Sequence, residues 1–300
     1  MSARPCRKTG SEMQIDAHQH FWRLADRGGQ WPPASLGEIY RDFLPHDLLP
    51  TLVTSGVTGT ILVQSRAALD DNNFMLELAL QHDFILGVVG WVDLKDAHAA
   101  MQITRLARHP KFKGLRPMLQ DLPDPDWIND AALTPAIHAM LQHKLSFDAL
   151  VLPTHLVPLA VFARRYPALS IVIDHAAKPL IATGQDEPWH TDLAALAALP
   201  NVSCKLSGLL TEAGTRTEIG ALAPYVNTVL DCFGPGRVIW GSDWPVLRLA
   251  GDYKVWREMA EQLCARWHTL HAPAGSTFAA MREAIFGGNA QRFYRLNPMA

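Results

Sequence analysis

One pattern constrains this chain more than any other: short apolar runs alternate with longer amphipathic stretches along nearly its whole length. The runs are QIDAH (14–18), GTILVQS (59–65), FILGVVGWVD (84–93), KGLRPM (113–118), LSFDAL (145–150), LSIVIDHAAKP (169–179), NVSCKLSG (201–208) and RVIWGSDWP (237–245). The third is almost continuously apolar, as a strand covered on both faces should be. Helical patterns lie between them, among others at 71–83, 96–110, 134–145, 156–167 and 191–200. Several of these open on Asp, Asn or Thr caps and stop at proline. Strands separated by helices predict right-handed βαβ units and a parallel sheet. Eight such units in 300 residues predict an α/β fold of the (β/α)8 TIM-barrel type. The rival, a doubly wound sheet, would carry a Gly-rich phosphate loop after its first strand, where this chain has AHQHFW (17–22). No repeat of 20–50 residues and no Gly/Ser linker divides the chain, so residues 13–300 read as one domain. Residues 1–12, polar and basic, read as a loosely attached, disordered tail.

Bulk properties narrow the function. A net charge of −2 gives no electrostatic footprint for nucleic acid or a membrane surface. No apolar run approaches the roughly 20 residues of a membrane span, and no apolar segment follows the basic start as in a secretory signal. Cys6, Cys204, Cys232 and Cys264 form no CxxC pair and read as reduced thiols of a cytoplasmic protein. Either a monomer or a homo-oligomer satisfies the sequence.

In a (β/α)8 barrel the active site lies at the C-terminal ends of the strands. The unusual polar residues sit there. Strand one ends in His18 and His20, strand three in Trp91 and Asp93, and strand four in Arg116. Strand six ends in Asp174, His175 and Lys178, strand seven in Lys205 and Ser207, and strand eight in Asp243 and Trp244. Any one strand-end histidine is more often a hydrogen-bonded support than a catalyst. One barrel mouth would nevertheless collect all of them. Period-two alternation also predicts that Asp16, His18 and His20 share one face of the first strand.

His-x-His on strand one, a histidine after strand six and an aspartate after strand eight resemble the amidohydrolase superfamily. DAHQHFW, GLRPMLQDLPDPDWI, VIDHAAKP, CKLSGL and WGSDWP are most similar to its amidohydrolase-2 group, which includes sugar lactonases. The likeness runs from about Met13 to Leu296. It implies hydrolysis of a small-molecule sugar lactone, most like an L-sugar lactone. It also implies that Asp243 takes the proton from water, with His175 in the catalytic set. Histidines polarise a carbonyl either as imidazolium or as metal ligands. The resemblance leaves room for one zinc or other divalent ion on His18, His20 and Asp243, with His175 as a further candidate. Related zinc sites take a histidine from strand five, where this chain has Asp148. His155 comes later and reads as a helix-end residue. Arg116 stands where two-metal relatives place a ligand, and a guanidinium cannot ligate a cation. A lactone is activated enough for catalysis without metal. A decarboxylase or a non-sugar lactonase on the same scaffold, and a non-catalytic sugar-binding barrel, are the alternatives.

Trp22, Trp31, Trp91, Trp127 and Trp244 follow strand ends or lie in the loops above them, where an indole packs against the C–H face of a sugar or simply fills the rim. Arg116 and Lys178 suit hydroxyls or a carboxylate, or else salt bridges to Asp93 or Asp174. The loop 23–40, rich in Gly and Pro, reads as a lid over the mouth.

Overall fold

The structure, a computed structural model, describes residues 13–271 and 273–296. The tail expected over 1–12 lies outside the described residues. Eight strands form one sheet in sequence order: β1 (Ile15–Gln19), β2 (Gly59–Val63), β3 (Ile85–Gly90), β4 (Phe112–Leu115), β5 (Ser146–Ala149), β6 (Ile171–Ile173), β7 (Val202–Leu206) and β8 (Val238–Trp240). All seven successive pairs are parallel. Helices α1 (Pro45–Ser55), α2 (Leu69–Gln81), α3 (Ala99–Leu106), α4 (Thr134–Gln142), α5 (Leu156–Arg165), α6 (Trp189–Ala197) and α7 (Ile219–Phe233) cross between them, and α8 (Tyr253–His271) follows β8. This is the predicted (β/α)8 barrel. The sheet closes at a seam just beyond β1 and β8, where the Asp243 N–H donates to the His18 carbonyl at 2.8 Å and the His20 N–H to the Trp244 carbonyl at 2.7 Å. The seam is therefore stitched by the residues expected to do the chemistry.

Two apolar layers hold the barrel. Inside, Ile15, Ala17, Ile61, Val63, Val89, Val172 and Ile239 pack with Tyr294 and Leu296 from the C-terminal segment, which closes the floor. Outside, residues such as Phe147, Ile171, Leu206 and Trp240 pack among the helices. Burying one such side chain contributes about 1.5–3 kcal/mol.

The expectation that Asp16, His18 and His20 share a face is corrected. The β1–β2 register advances three residues on β1, from Asp16 to Gln19, against two on β2, from Thr60 to Leu62. That extra residue is a β-bulge, which re-aims the side chains beyond it. Ala17 faces the barrel interior, and His18 next to it reaches the interior groups Lys205 and Asp174. Asp16 points instead toward α8. It accepts from the Tyr253 hydroxyl at 3.1 Å, the Ser242 hydroxyl at 2.6 Å and the N–H groups of Ser242 at 2.8 Å and His18 at 3.2 Å. Its carboxylate thus holds both the bulge and the seam.

Candidate active site

Two strand ends, those of β1 and β6, bring three imidazoles to one carboxylate after β8. Asp243 Oδ1 lies 3.2 Å from His20 Nε2, 3.7 Å from His18 Nε2 and 3.9 Å from His175 Nε2. All four residues are buried. The backbone is bent hard to achieve this. His175, Ala176, Ala177 and Lys178 all have positive φ, between 50° and 61°. A left-handed conformation costs an L-residue about 1–2 kcal/mol. The turn is of the three-residue type, closed by the Lys178 N–H to the His175 carbonyl at 2.8 Å. Positions i and i+3 of such a turn eclipse. His175 and Lys178 accordingly both line the mouth, while Ala176 and Ala177 are wholly buried. Asp243 also has positive φ, 60°, which a short acidic side chain tolerates. Two glycines are sterically required. A Cβ on Gly208, itself at φ +65°, would stand 2.5 Å from His175 Nδ1, and one on Gly241 would stand 2.7 Å from His18 Cβ.

Beneath the histidines lies a buried charged layer. Lys205 Nζ donates to Asp148 at 2.7 Å, contacts Asp174 at 2.9 Å and lies 3.2 Å from His18 Nδ1. The Tyr294 hydroxyl donates to Asp148 at 2.6 Å. Arg116 donates to the Gln64 carbonyl, lies 3.4 Å from Asp174 and 3.3 Å from His18 Nε2. Burial pushes the Asp243 carboxyl up, but His175, His20 and His18 around it pull it well below the ordinary carboxylate range. Burial drives His175 down to about 4, against the opposing pull of Asp243 and Asp174. His18 and His20 are lowered chiefly by burial too. At neutral pH the mouth therefore holds an ionised carboxylate among neutral imidazoles.

That donor set fits a divalent cation. His18, His175 and Asp243 each offer one ligand atom, all within 4.8 Å of one another. His20, expected among the ligands, stands outside this group. Its Nδ1 lies 2.7 Å from the Val63 carbonyl, which can only accept, so Nδ1 carries the hydrogen. The unprotonated Nε2 of a neutral His20 then faces the Asp243 carboxylate at 3.2 Å, an arrangement completed by a shared proton or cation. Strand five supplies no ligand, because Asp148 is committed to Lys205 and Tyr294. His155 is a helix-start residue, its Nδ1 accepting from the Leu152 N–H at 3.1 Å.

A cavity of about 450 Å³ opens above this group, lined by His20, His175, Asp243, Arg116, Lys178 and Trp31 together with Ser65, Gln120, Asp121 and Glu212. Of the five tryptophans expected at the substrate, the structure brings Trp31 to this cavity and places the others around the rim. Trp22 is buried with its indole N–H on the Arg41 carbonyl at 2.8 Å, its ring edge-on to Trp31 and Phe43. Trp244 packs edge-on to Phe21 and Phe43. Trp91 is anchored through its backbone to Asn72, and the ring of Trp127 carries the Lys95 ammonium. The apolar area of an indole gains most inside an aromatic cluster, and Trp22 and Trp244 take that option. Arg116 pairs with Asp174, as one alternative held. Lys178 pairs instead with Glu212, Nζ to Oε1 3.7 Å. Glu212 was missed because LLTEAGT (209–215) has no motif. The available signal was its place in the loop after the seventh strand. Arg27, also unanticipated, is buried within the 23–40 loop. It donates to the Trp31 carbonyl at 2.8 Å and to the Ser65 hydroxyl at 2.6 Å, so it pins two cavity-lining residues.

A family model described as amidohydrolase matches residues 15–296. The chain is 55% identical over 287 residues to an L-fucono-1,5-lactonase of Burkholderia ambifaria, covering 95% of this chain and 96% of that one. It is 37% identical over 295 residues to an L-fucono-1,5-lactonase of Burkholderia multivorans, with coverage of 95% and 96%. The crystal structure of an amidohydrolase from Burkholderia multivorans with bound zinc is similar at a TM-score of 0.83 and 38% identity, over 95% of this chain and all of that one. Among the described residues no helix is long and apolar enough to cross a membrane.

Proposed function

This chain belongs to the amidohydrolase family, and from that membership we infer that it is a lactone hydrolase opening L-fucono-1,5-lactone, or a closely related L-aldonolactone, to the sugar acid. The observation that carries the reading is the single Asp243 oxygen faced by three imidazole nitrogens at the foot of a cavity whose walls mix charged and hydrogen-bonding groups with the apolar side chains of Met118, Leu150, Val246 and Leu249. A cavity of about 450 Å³ accommodates one six-membered sugar ring.

Asp243, held ionised, accepts a proton from the attacking water. The Ser207 hydroxyl lies 2.9 Å from His175 Nδ1. When that hydroxyl donates, His175 Nε2–H turns to the cavity and hydrogen-bonds the lactone carbonyl as negative charge develops on its oxygen. Arg116, within 3.3 Å of His18 Nε2, adds positive charge on the same side. The proton held on Asp243 then passes to the ring oxygen as the C–O bond breaks. A divalent ion on His18, His175 and Asp243, zinc in first place, would take the place of the His175 N–H donor, since a ligating ring nitrogen carries no hydrogen, and when bound would supply Lewis-acid polarisation of the carbonyl and a more acidic water. Trp31 offers its indole to the C–H face of the sugar.

The test is a panel of aldonolactones followed with a pH indicator, with and without chelator, beside aromatic carboxylic acids followed for decarboxylation. Acid release fastest from L-fucono-1,5-lactone or a stereochemical neighbour is expected. Absence of turnover on every lactone overturns the assignment.

A further inference from the structure

Lys178 and Glu212 take no part in activating water, yet both line the cavity that Asp243 closes from below. The left-handed turn 175–178 strains four residues, and its i, i+3 geometry sets Lys178 beside His175 in that cavity. Glu212 faces it from the loop after β7. Their charged atoms stand 3.7 Å apart, looser than a tight ion pair, with side chains 22% and 28% exposed. Burial raises the Glu212 carboxyl although Lys178 opposes the shift. A partly desolvated carboxylate paired with one loose ammonium keeps most of its acceptor positions free. A polyhydroxylated ring supplies the donors those positions lack.

We propose that Glu212 and Lys178 form a hydroxyl-reading pair that selects lactones bearing vicinal hydroxyls. The Glu212 carboxylate accepts hydrogen bonds from two adjacent hydroxyls, one per oxygen, and the Lys178 ammonium donates to a hydroxyl oxygen of the same diol. The loose pair opens to admit the diol and is bridged by it. This assignment rests on the lactonase reading and specifies which feature of the substrate the site recognises. A site built around such groups discriminates against an analogue without hydroxyls, because the partly desolvated carboxylate then goes without the hydrogen bonds the diol supplies.

The experiment compares Glu212→Gln and Glu212→Ala with wild type on L-fucono-1,5-lactone and on unsubstituted δ-valerolactone, with tryptophan fluorescence quenching by L-fuconate as a separate binding readout. In both variants kcat/KM on the hydroxylated lactone should fall roughly 10- to 100-fold, mostly through KM, the effect of losing hydrogen bonds to a charged group. That loss should exceed the loss on δ-valerolactone at least tenfold, and L-fuconate should bind more weakly. Equal proportional losses on the two lactones, or no loss on either, overturn the proposal, since Glu212 would then serve the chemistry or the fold in general, or nothing. If wild type turns over neither lactone, the lactonase reading fails on its own account. The binding arm then decides about Glu212: weaker L-fuconate binding by both variants supports the pair, and unchanged or undetectable binding overturns it.

Discussion

Replacing Lys205 with Met isolates the buried charge layer beneath the histidines. The side chain is wholly buried and its ammonium lies 2.7 Å from Asp148, 2.9 Å from Asp174 and 3.2 Å from His18 Nδ1. Burial alone would lower the Lys205 ammonium, but Asp148 and Asp174 override it and hold the group above its ordinary range. Methionine fills nearly the same volume, so the loss is electrostatic rather than a cavity. Asp148 would keep the Tyr294 and Ser146 hydroxyls, and Asp174 would keep Arg116 at 3.4 Å. Asp148 would then be left with no cationic partner among the described residues, and Asp174 with the one guanidinium. Leaving a buried ion without its partner costs about 3–5 kcal/mol. Urea denaturation of Lys205→Met should therefore show a stability loss of about 3–5 kcal/mol at an unchanged m-value. Adding Asp148→Asn removes the stranded charge and should recover more than about 1.5 kcal/mol of it in a double-mutant cycle. A single variant losing under about 1 kcal/mol, or a double variant additive within about 0.5 kcal/mol, would refute the claim that these charges are mutually compensated.

Three further outcomes are expected. Arg27→Met should raise KM for the lactone about tenfold with a smaller change in kcat, because Trp31 and Ser65 lose their anchor; steady-state kinetics check this, and an unchanged KM counts against the pinning role. Burial pushes the Asp16 carboxyl up to about 6 from 3.8, against its hydrogen bonds from Ser242, His18 and Tyr253. A raised folded-state pKa means that the contribution is fully present below pH 3.8 and is lost as pH rises to about 6, a change of roughly 3 kcal/mol. The stability of Asp16→Asn relative to wild type should improve by that amount across the window in denaturation at stepped pH, and a flat difference contradicts it. Gly208→Ala should lower kcat, since its Cβ would fall 2.5 Å from His175 Nδ1 and the site is also at positive φ; near-normal kcat would show that the turn has slack.

How much was legible in the sequence depended on whether a residue's role is local. The eight strands and the helices at 134–142 and 156–165 could be read because continuous apolar runs and proline or threonine boundaries are local signals. His18, His20, His175 and Asp243 could be read because strand ends in a (β/α)8 barrel converge on one mouth. The bulge after Asp16 could not, since it is set by the register against β2 and by a carboxylate that caps a seam with residues more than 220 positions away. The left-handed turn at DHAAK (174–178) carries no glycine to announce it. Trp31 could not be told apart from Trp22 and Trp244 in the sequence, because an indole near a strand end serves an aromatic rim as well as a sugar. Glu212 and Arg27 act from loops, where no periodicity marks a residue that turns inward.

The most direct test of the account is Asp243→Asn, which keeps the shape of the side chain but cannot accept a proton from water at neutral pH. Turnover of L-fucono-1,5-lactone is measured beside quenching of tryptophan fluorescence by L-fuconate, with metal content of both proteins determined by elemental analysis. The account predicts a loss of order 10²–10⁴ in kcat with L-fuconate still bound, since the walls formed by Trp31, Lys178 and Glu212 are untouched. A variant with near-normal kcat would contradict it, because the carboxylate faced by three imidazoles would then not be the base that activates water.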